Sequence, residues 1–101
     1  MTLPVFLHIE ATPNLDEREA LIDYLNKVPQ IVKRYGGVPI ATYDVERTLD
    51  PLESPAMFIV MSFPSRDSID DFFHDEAYQA IVPLRDKGFS HLRFHVTSER
   101  L

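Results

Sequence analysis

Segments with strand-like and helix-like patterns follow one another along this chain in the order β-α-β-β-α-β. Apolar and polar residues alternate in residues 3–11 and again in residues 89–97, as in strands with one buried face. The second helix begins at Ser65, which can cap it, and continues as a short segment over residues 76–84. With right-handed crossovers, this order predicts an α+β fold: a ferredoxin-like βαββαβ domain with a four-stranded antiparallel sheet. The four predicted strands span residues 3–11, 38–49, 56–63 and 89–97.

The first helix carries signals at both of its ends. Asn14 followed by Glu17 matches a capping box, and the pair Gly36 and Gly37 favours a left-handed stop. Pro29 predicts a kink or a break near residues 25–26, because proline removes a helical hydrogen bond and clashes with the preceding turn. The spacing of apolar residues predicts a buried stripe formed by Leu21, Leu25, Val28, Val32 and Tyr35.

The strand patterns also predict positions in the sheet. The second strand is polar on both faces and contains Pro39, which suits an edge, whereas the third is apolar on both faces, as a central strand is. In the ferredoxin-like topology the helices cover only one sheet face, and Phe6, Phe58 and Val60 lie on the other. Because an uncovered apolar patch usually marks a partner, we predict a homodimer joined sheet to sheet, a dimeric α+β barrel.

Composition restricts the remaining function classes. The 101 residues fit a single domain, residues 1–101, and the net charge of −6 with no basic cluster argues against nucleic acid or an anionic membrane as a partner. The chain has no cysteine, so disulfides and thiolate chemistry are excluded. We expect no secretory signal at the N-terminus, and the longest apolar run is too short to span a bilayer. A cytoplasmic location is expected.

Five polar residues form the most interesting group in the sequence. His8 and Glu10 share a face of the first strand, while His91, Arg93 and His95 share a face of the last. Antiparallel pairing places Glu10 opposite His91 and His8 near Arg93, so His8, Glu10 and His91 are the candidate acid–base residues. Ordinary cross-strand pairs at a dimer rim are the structural alternative. We expect no metal and no cofactor, since His91 and His95 lie about 13 Å apart and only a His8–Glu10–His91 cluster could bind an ion.

Three segments of the sequence resemble a bacterial family. They are Tyr35-Gly36-Gly37, Phe63-Pro64-Ser65 and the run from Phe72 through Tyr78-Gln79-Ala80-Ile81-Val82-Pro83-Leu84-Arg85. The chain is similar to the family called domain of unknown function 1330, in the dimeric α+β-barrel superfamily. That resemblance implies a ferredoxin-like fold, a sheet-to-sheet homodimer, and a pocket between sheet and helices or inside the barrel. No activity is implied, although relatives in the superfamily include cofactor-free monooxygenases and lactone isomerases.

The sequence departs from the family pattern at three places. Thr42-Tyr43 stands where the family commonly has arginine-glycine, Met57 where it has arginine, and Phe73 where it often has tyrosine. A ligand-binding site of a relative is therefore not transferred to this chain.

Three functional hypotheses follow from these observations. The favoured one is a homodimer that binds a small, partly apolar molecule, and the second is a cofactor-independent monooxygenase- or isomerase-like enzyme with a His/Glu acid–base group. The third is a structural or assembly domain without a ligand. Candidate ligand-binding residues are Phe6, Phe58, Tyr78, Arg85, Arg93 and His95.

Overall fold

The computed structural model describes residues 3–50 and 53–101, and the order of its elements is the one that the sequence predicts. Strand β1 is followed by a short 3₁₀ turn and helix α1, then by strands β2 and β3, helices α2 and α3, and strand β4. The bounds are β1 Val5–Pro13, 3₁₀ turn Leu15–Glu17, α1 Arg18–Arg34, β2 Val38–Asp44, β3 Met57–Phe63, α2 Arg66–His74, α3 Glu76–Gly88 and β4 Phe89–Thr97. The last strand has the predicted bounds, whereas β1 starts two residues later and β2 ends five residues earlier than predicted.

The four strands form one antiparallel sheet in the order β2-β3-β1-β4. This order confirms that β2 is an edge strand, that β3 is central, and that the first and last strands are neighbours. The Cα trace measures only 17 Å in its smallest dimension, consistent with a sheet covered by helices on one face alone. Within the described residues, no helix combines the length and apolar character that crossing a bilayer requires.

The core lies between the helices and one face of the sheet. Alternate residues of β1, namely Val5, Leu7, Ile9 and Ala11, are buried, which confirms the predicted alternation. The helices contribute most of the other buried core residues: Tyr24, Ile31, Val32, Ile69, Phe72, Tyr78 and Ile81. The opposite sheet face, hereafter the open face, has no helix on it.

The first helix begins differently from the prediction. The Asn14 side chain accepts a hydrogen bond from the backbone N–H of Asp16 at 3.1 Å and caps a 3₁₀ turn, and α1 proper starts at Arg18. The predicted capping box with Glu17 is wrong. A tertiary contact explains the difference. In a capping box, Glu17 would accept from the backbone N–H of Asn14, but this N–H donates to the carbonyl of Gly88 at 2.9 Å.

Helix α1 also passes through Pro29 without interruption, so the predicted break is wrong. Pro29 is exposed, and the carbonyl of Leu25 that it leaves without a helical partner can be solvated there. Of the predicted buried stripe, Val32 is buried, whereas Leu25 is 48% exposed. Leu25 faces an open cavity, described below, in place of a packed core.

The second helical region is divided by Asp75. Ser65 caps α2 as predicted, in a capping box completed by Ser68. The Asp75 side chain then caps α3 through the backbone N–H of Tyr78 at 3.1 Å, and α3 continues past Pro83 to Gly88, four residues beyond the predicted end.

Candidate functional site

The open face carries most of the candidate functional residues that were predicted from the sequence. Strand β1 contributes Phe6, His8 and Glu10, and β3 contributes Phe58 and Val60. The facing residues of β4 are His91, Arg93 and His95. The face is therefore divided, with a polar stripe along β1 and β4 and a more apolar one along β3 and β2.

The pairing of β1 with β4 differs from the predicted register by two residues. Glu10 lies opposite Arg93, His8 opposite His95, and Thr12 opposite His91. The prediction that Glu10 faces His91 is therefore wrong. Strand β1 extends to Pro13, which pairs with Phe89 beyond an irregularity in the ladder.

Glu10 is the centre of the polar stripe. The ring Nε2 of His95 donates to Glu10 Oε2 at 2.7 Å, and Arg93 Nη1 lies 3.8 Å from the same oxygen. The hydrogen bond from His95 lowers the pKa of the Glu10 carboxyl below its ordinary value, and the charge of Arg93 acts in the same direction, against the opposing effect of burial. Glu10 is thus held as a carboxylate beside an imidazole.

The other two members of the predicted acid–base group do not join this contact. His8 and His91 make no hydrogen bond to Glu10, and His91 Nε2 is buried without a partner among the described residues. Across the part of the chain that the structure describes, no three histidine, aspartate or glutamate side chains lie close enough together to hold a metal ion.

Replacing Glu10 by glutamine should reduce stability in a pH-dependent way. A carboxyl whose pKa is lowered by folding contributes stability above its unfolded pKa near 4.5, and this contribution is lost as pH falls through the folded value. We expect Glu10→Gln to lower the free energy of unfolding by about 1 kcal/mol or less at pH 7, because the pair is partly exposed, and by less at about pH 3. Urea denaturation at both pH values measures the difference.

The matched control for that measurement is Glu99→Gln, since Glu99 is exposed near the C-terminus and makes no ion pair with the residues that the structure describes. It should leave stability unchanged at both pH values. An effect of Glu10→Gln that is equal at pH 7 and pH 3 would show that its carboxylate does not act through His95 and Arg93.

A cavity lies on the other face of the sheet, between the strands and α1. Its volume is about 510 Å³ and its walls are almost entirely apolar. Exposed residues of α1 and β2, including Leu25 and Val38, mark its mouth. The sheet contributes Leu7, Ile9, Pro39, Ile59, Met61, Phe89, Leu92 and Phe94, and the helices contribute Tyr24, Leu25, Val28, Pro29, Val32, Lys33, Phe72 and Tyr78.

A polar network includes two residues of the cavity wall, Tyr24 and Tyr78. The hydroxyls of Tyr24 and Tyr78 are 3.0 Å apart, and Arg85 Nη1 donates to the Tyr78 hydroxyl at 3.1 Å. Arg85 also packs beside the rings of Tyr78 and Phe94, 5.8 and 5.7 Å from their centroids. Burial, reinforced by the neighbouring Tyr78, raises the pKa of Tyr24, so that its hydroxyl stays protonated.

The predicted ligand-binding residues therefore fall into two groups on opposite faces of the sheet. Tyr78 lines the cavity and Arg85 binds its hydroxyl, whereas the remaining four lie on the open face: Phe6, Phe58, Arg93 and His95. Tyr24 was not predicted as a functional residue. Its spacing of four from Val28 and eight from Val32 was the available signal, since it places Tyr24 on the same face of α1.

Comparison with family models identifies one match. The model described as Domain of unknown function (DUF1330) matches residues 8–96. The chain belongs to this family. No curated protein matches its sequence.

Solved structures give the DUF1330 chain the same fold. A protein of unknown function from Rhodopseudomonas palustris is 16% identical, with 100% of this chain and 85% of that one covered and a TM-score of 0.83. A protein from Nitrosomonas europaea, provisionally called an antibiotic biosynthesis monooxygenase, is 10% identical over 98% and 92%, with a TM-score of 0.66. A dimeric ferredoxin-like protein of unknown function from Thermobifida fusca is 12% identical over 98% and 93%, with a TM-score of 0.61.

The three segments that resemble DUF1330 lie at a helix end, at a close contact and beside the cavity. Gly36 has φ 75°, a left-handed conformation, and closes α1. A Cβ at Gly37 would lie 2.9 Å from the ring of Phe63, so this glycine lets the two segments pack together. The third segment places Tyr78 in the wall of the cavity and Arg85 within hydrogen-bond distance of its hydroxyl.

Proposed function

We propose that this protein is a homodimer, joined through its open faces, that binds a small, mostly apolar molecule in the cavity between the sheet and α1. The observation that carries the ligand proposal is the cavity itself. Its volume of about 510 Å³ lies within the usual range for small-molecule sites, and apolar walls with a few convergent polar groups are typical of such sites.

The shape of the cavity favours a ligand-binding site over a defect in core packing. Helix α1 presents Leu25 and Val28 toward the sheet, yet no side chain of the described residues fills the space between them and Ile59 or Met61. A well-packed domain leaves few voids larger than a water molecule. A ligand in this position would bury apolar surface of both itself and the wall, which is the main source of affinity in such pockets.

The dimer proposal is supported by the other side of the sheet. Phe58 is 37% exposed and Tyr43 is 59% exposed on the same stretch of the open face. A second copy of this face would cover both, and the Thermobifida fusca neighbour is described as dimeric. An interface of this kind would bury upward of about 2,000 Å² in total.

Naphthalene is a suitable first probe of the cavity, because it is apolar and smaller than the space. We expect it to raise the melting temperature of the protein by mass action and to bind in isothermal titration. Val28→Phe projects a larger side chain into the cavity and should change the affinity for naphthalene, because the added ring alters the wall that the probe contacts.

The matched control is Ile22→Phe, which adds a phenyl ring on the exposed side of the same helix, where Ile22 is 57% exposed. It should bind naphthalene as the parent does. Absence of binding to the parent, or equal binding by Val28→Phe and Ile22→Phe, would contradict a ligand site here and favour a structural or assembly role.

A second candidate is a cofactor-independent enzyme, and the contact between His95 and Glu10 favours it. Imidazole and carboxylate 2.7 Å apart form a potential general base, and the buried Nε2 of His91 offers another polar group on the same face. In the dimer this group would lie inside the barrel, separated from the cavity by the sheet. The Glu10→Gln measurement above tests the pair on which this candidate depends.

A further inference from the structure

The network of Tyr24, Tyr78 and Arg85 beside the cavity has one more donor than it has hydrogen bonds. Tyr24 and Tyr78 are 7% and 0% exposed, so water reaches neither side chain freely. Each hydroxyl carries one proton and can donate once. Arg85 donates to Tyr78, and the two hydroxyls share one hydrogen bond with each other.

Counting these bonds leaves one hydroxyl proton without an acceptor. If Tyr24 donates to Tyr78, the proton of Tyr78 has no acceptor among residues 3–50 and 53–101. If Tyr78 donates to Tyr24, it is the proton of Tyr24 that lacks one. Both residues line the cavity, and Tyr24 is the more exposed of the two, so an acceptor on a bound molecule would favour the second arrangement. A buried donor without a partner is costly, whereas a ligand that supplies an acceptor removes that cost.

The charge of Arg85 is already balanced. Its Nε and Nη2 each lie 3.1 Å from Asp86 Oδ1, so the guanidinium offers the cavity no uncompensated positive charge. The walls around the hydroxyl pair are apolar. A carboxylate placed there would lose its hydration without gaining a free cation, whereas a neutral oxygen would lose much less.

We propose that the ligand of this cavity carries a neutral hydrogen-bond acceptor, such as a ketone or other carbonyl oxygen, which the Tyr24–Tyr78 pair binds while its apolar body fills the rest. This inference rests on the proposed function, because it specifies the chemical class of the same ligand. The site thus selects ketone-like molecules over hydrocarbons of equal shape.

Indane and 1-indanone are matched probes, since they differ by one carbonyl group. The measured quantity is the preference for 1-indanone over indane, as a ratio of dissociation constants, in the parent and in Tyr24→Phe/Tyr78→Phe. Both hydroxyls are removed because either one alone could still donate. We expect the preference to fall about fivefold in the double variant, corresponding to one ordinary hydrogen bond. Tyr43→Phe, which removes an exposed hydroxyl from the open face, should keep the parent's preference.

Two results would overturn the inference while leaving the proposed function intact. One is binding of both probes with a preference that the double variant does not change. The other is tighter binding of indane-1-carboxylate than of 1-indanone. Failure of the parent to bind any of these probes would overturn both the inference and the proposed function.

An infrared measurement on the parent alone keeps the inference testable if the double variant does not fold. The carbonyl stretch of bound 1-indanone should lie at lower wavenumber than in hexane, because a hydrogen bond weakens the C=O bond. A bound ketone whose stretch equals its value in hexane would overturn the inference.

Discussion

Val60→Asp is expected to dissociate the proposed dimer. Val60 lies on the open face of the central strand β3, opposite His8 of β1 and Ala41 of β2. Two-fold symmetry would bury two new carboxylates in the interface, each at a cost of at least about 2 kcal/mol. Since 1.4 kcal/mol corresponds to a factor of ten, the dissociation constant should rise about a thousandfold or more. Light scattering over a concentration series measures the change.

Ile22→Asp is the control for that substitution, because it makes the same kind of change at an exposed position of α1. It should leave the oligomeric state of the parent unchanged. A parent that is monomeric at micromolar concentration would contradict the dimer, and so would a Val60→Asp variant that dimerises as tightly as the parent.

Gly88→Ala is expected to be the most destabilising small substitution in the helical layer. Gly88 is buried where α3 meets α1, and an added Cβ would lie 2.8 Å from the Cα and 3.0 Å from the backbone N of Leu21. Because these are backbone atoms, no side-chain rotation relieves the clash and the two helices must separate. Overpacking of this kind costs about 1–3 kcal/mol, and 1 kcal/mol lowers the melting temperature of a domain this size by about 4–8 °C.

Lys87→Ala provides the comparison at the neighbouring exposed position, and it should change the melting temperature by much less. Thermal unfolding followed by circular dichroism measures both variants at one protein concentration. A Gly88→Ala variant as stable as Lys87→Ala would show that α1 and α3 are not held as closely as the contact at Leu21 requires.

Local patterns in the sequence predicted the elements and their order, because burial on one face imposes a period on each strand and helix. The alternation in β1 and the apolar run of β3 predicted one half-buried and one central strand, and the structure confirms both. Ser65 predicted the start of α2, because a cap depends on residues within one turn. The resemblance to DUF1330 implied the same fold, and two of its three segments lie at the end of α1 and the start of α2.

The register and the start of α1 could not be predicted from the sequence alone. Antiparallel pairing of β1 and β4 allows several registers that keep the same residues on the open face, and periodicity does not choose between them. The N–H of Asn14 bonds to Gly88, a residue 74 positions away, and no local rule anticipates that contact.

The cavity belongs entirely to the tertiary structure. The sequence determined that Leu25 and Val28 form part of an apolar stripe, but not whether that stripe packs against the sheet or lines a space. Likewise, Tyr24 and Tyr78 are 54 residues apart, and their hydrogen bond exists only because α1 and α3 pack side by side. Periodicity specifies which face of a helix is apolar. The distance between helix and sheet decides whether that face becomes core or binding site. This distance depends on contacts made elsewhere in the chain.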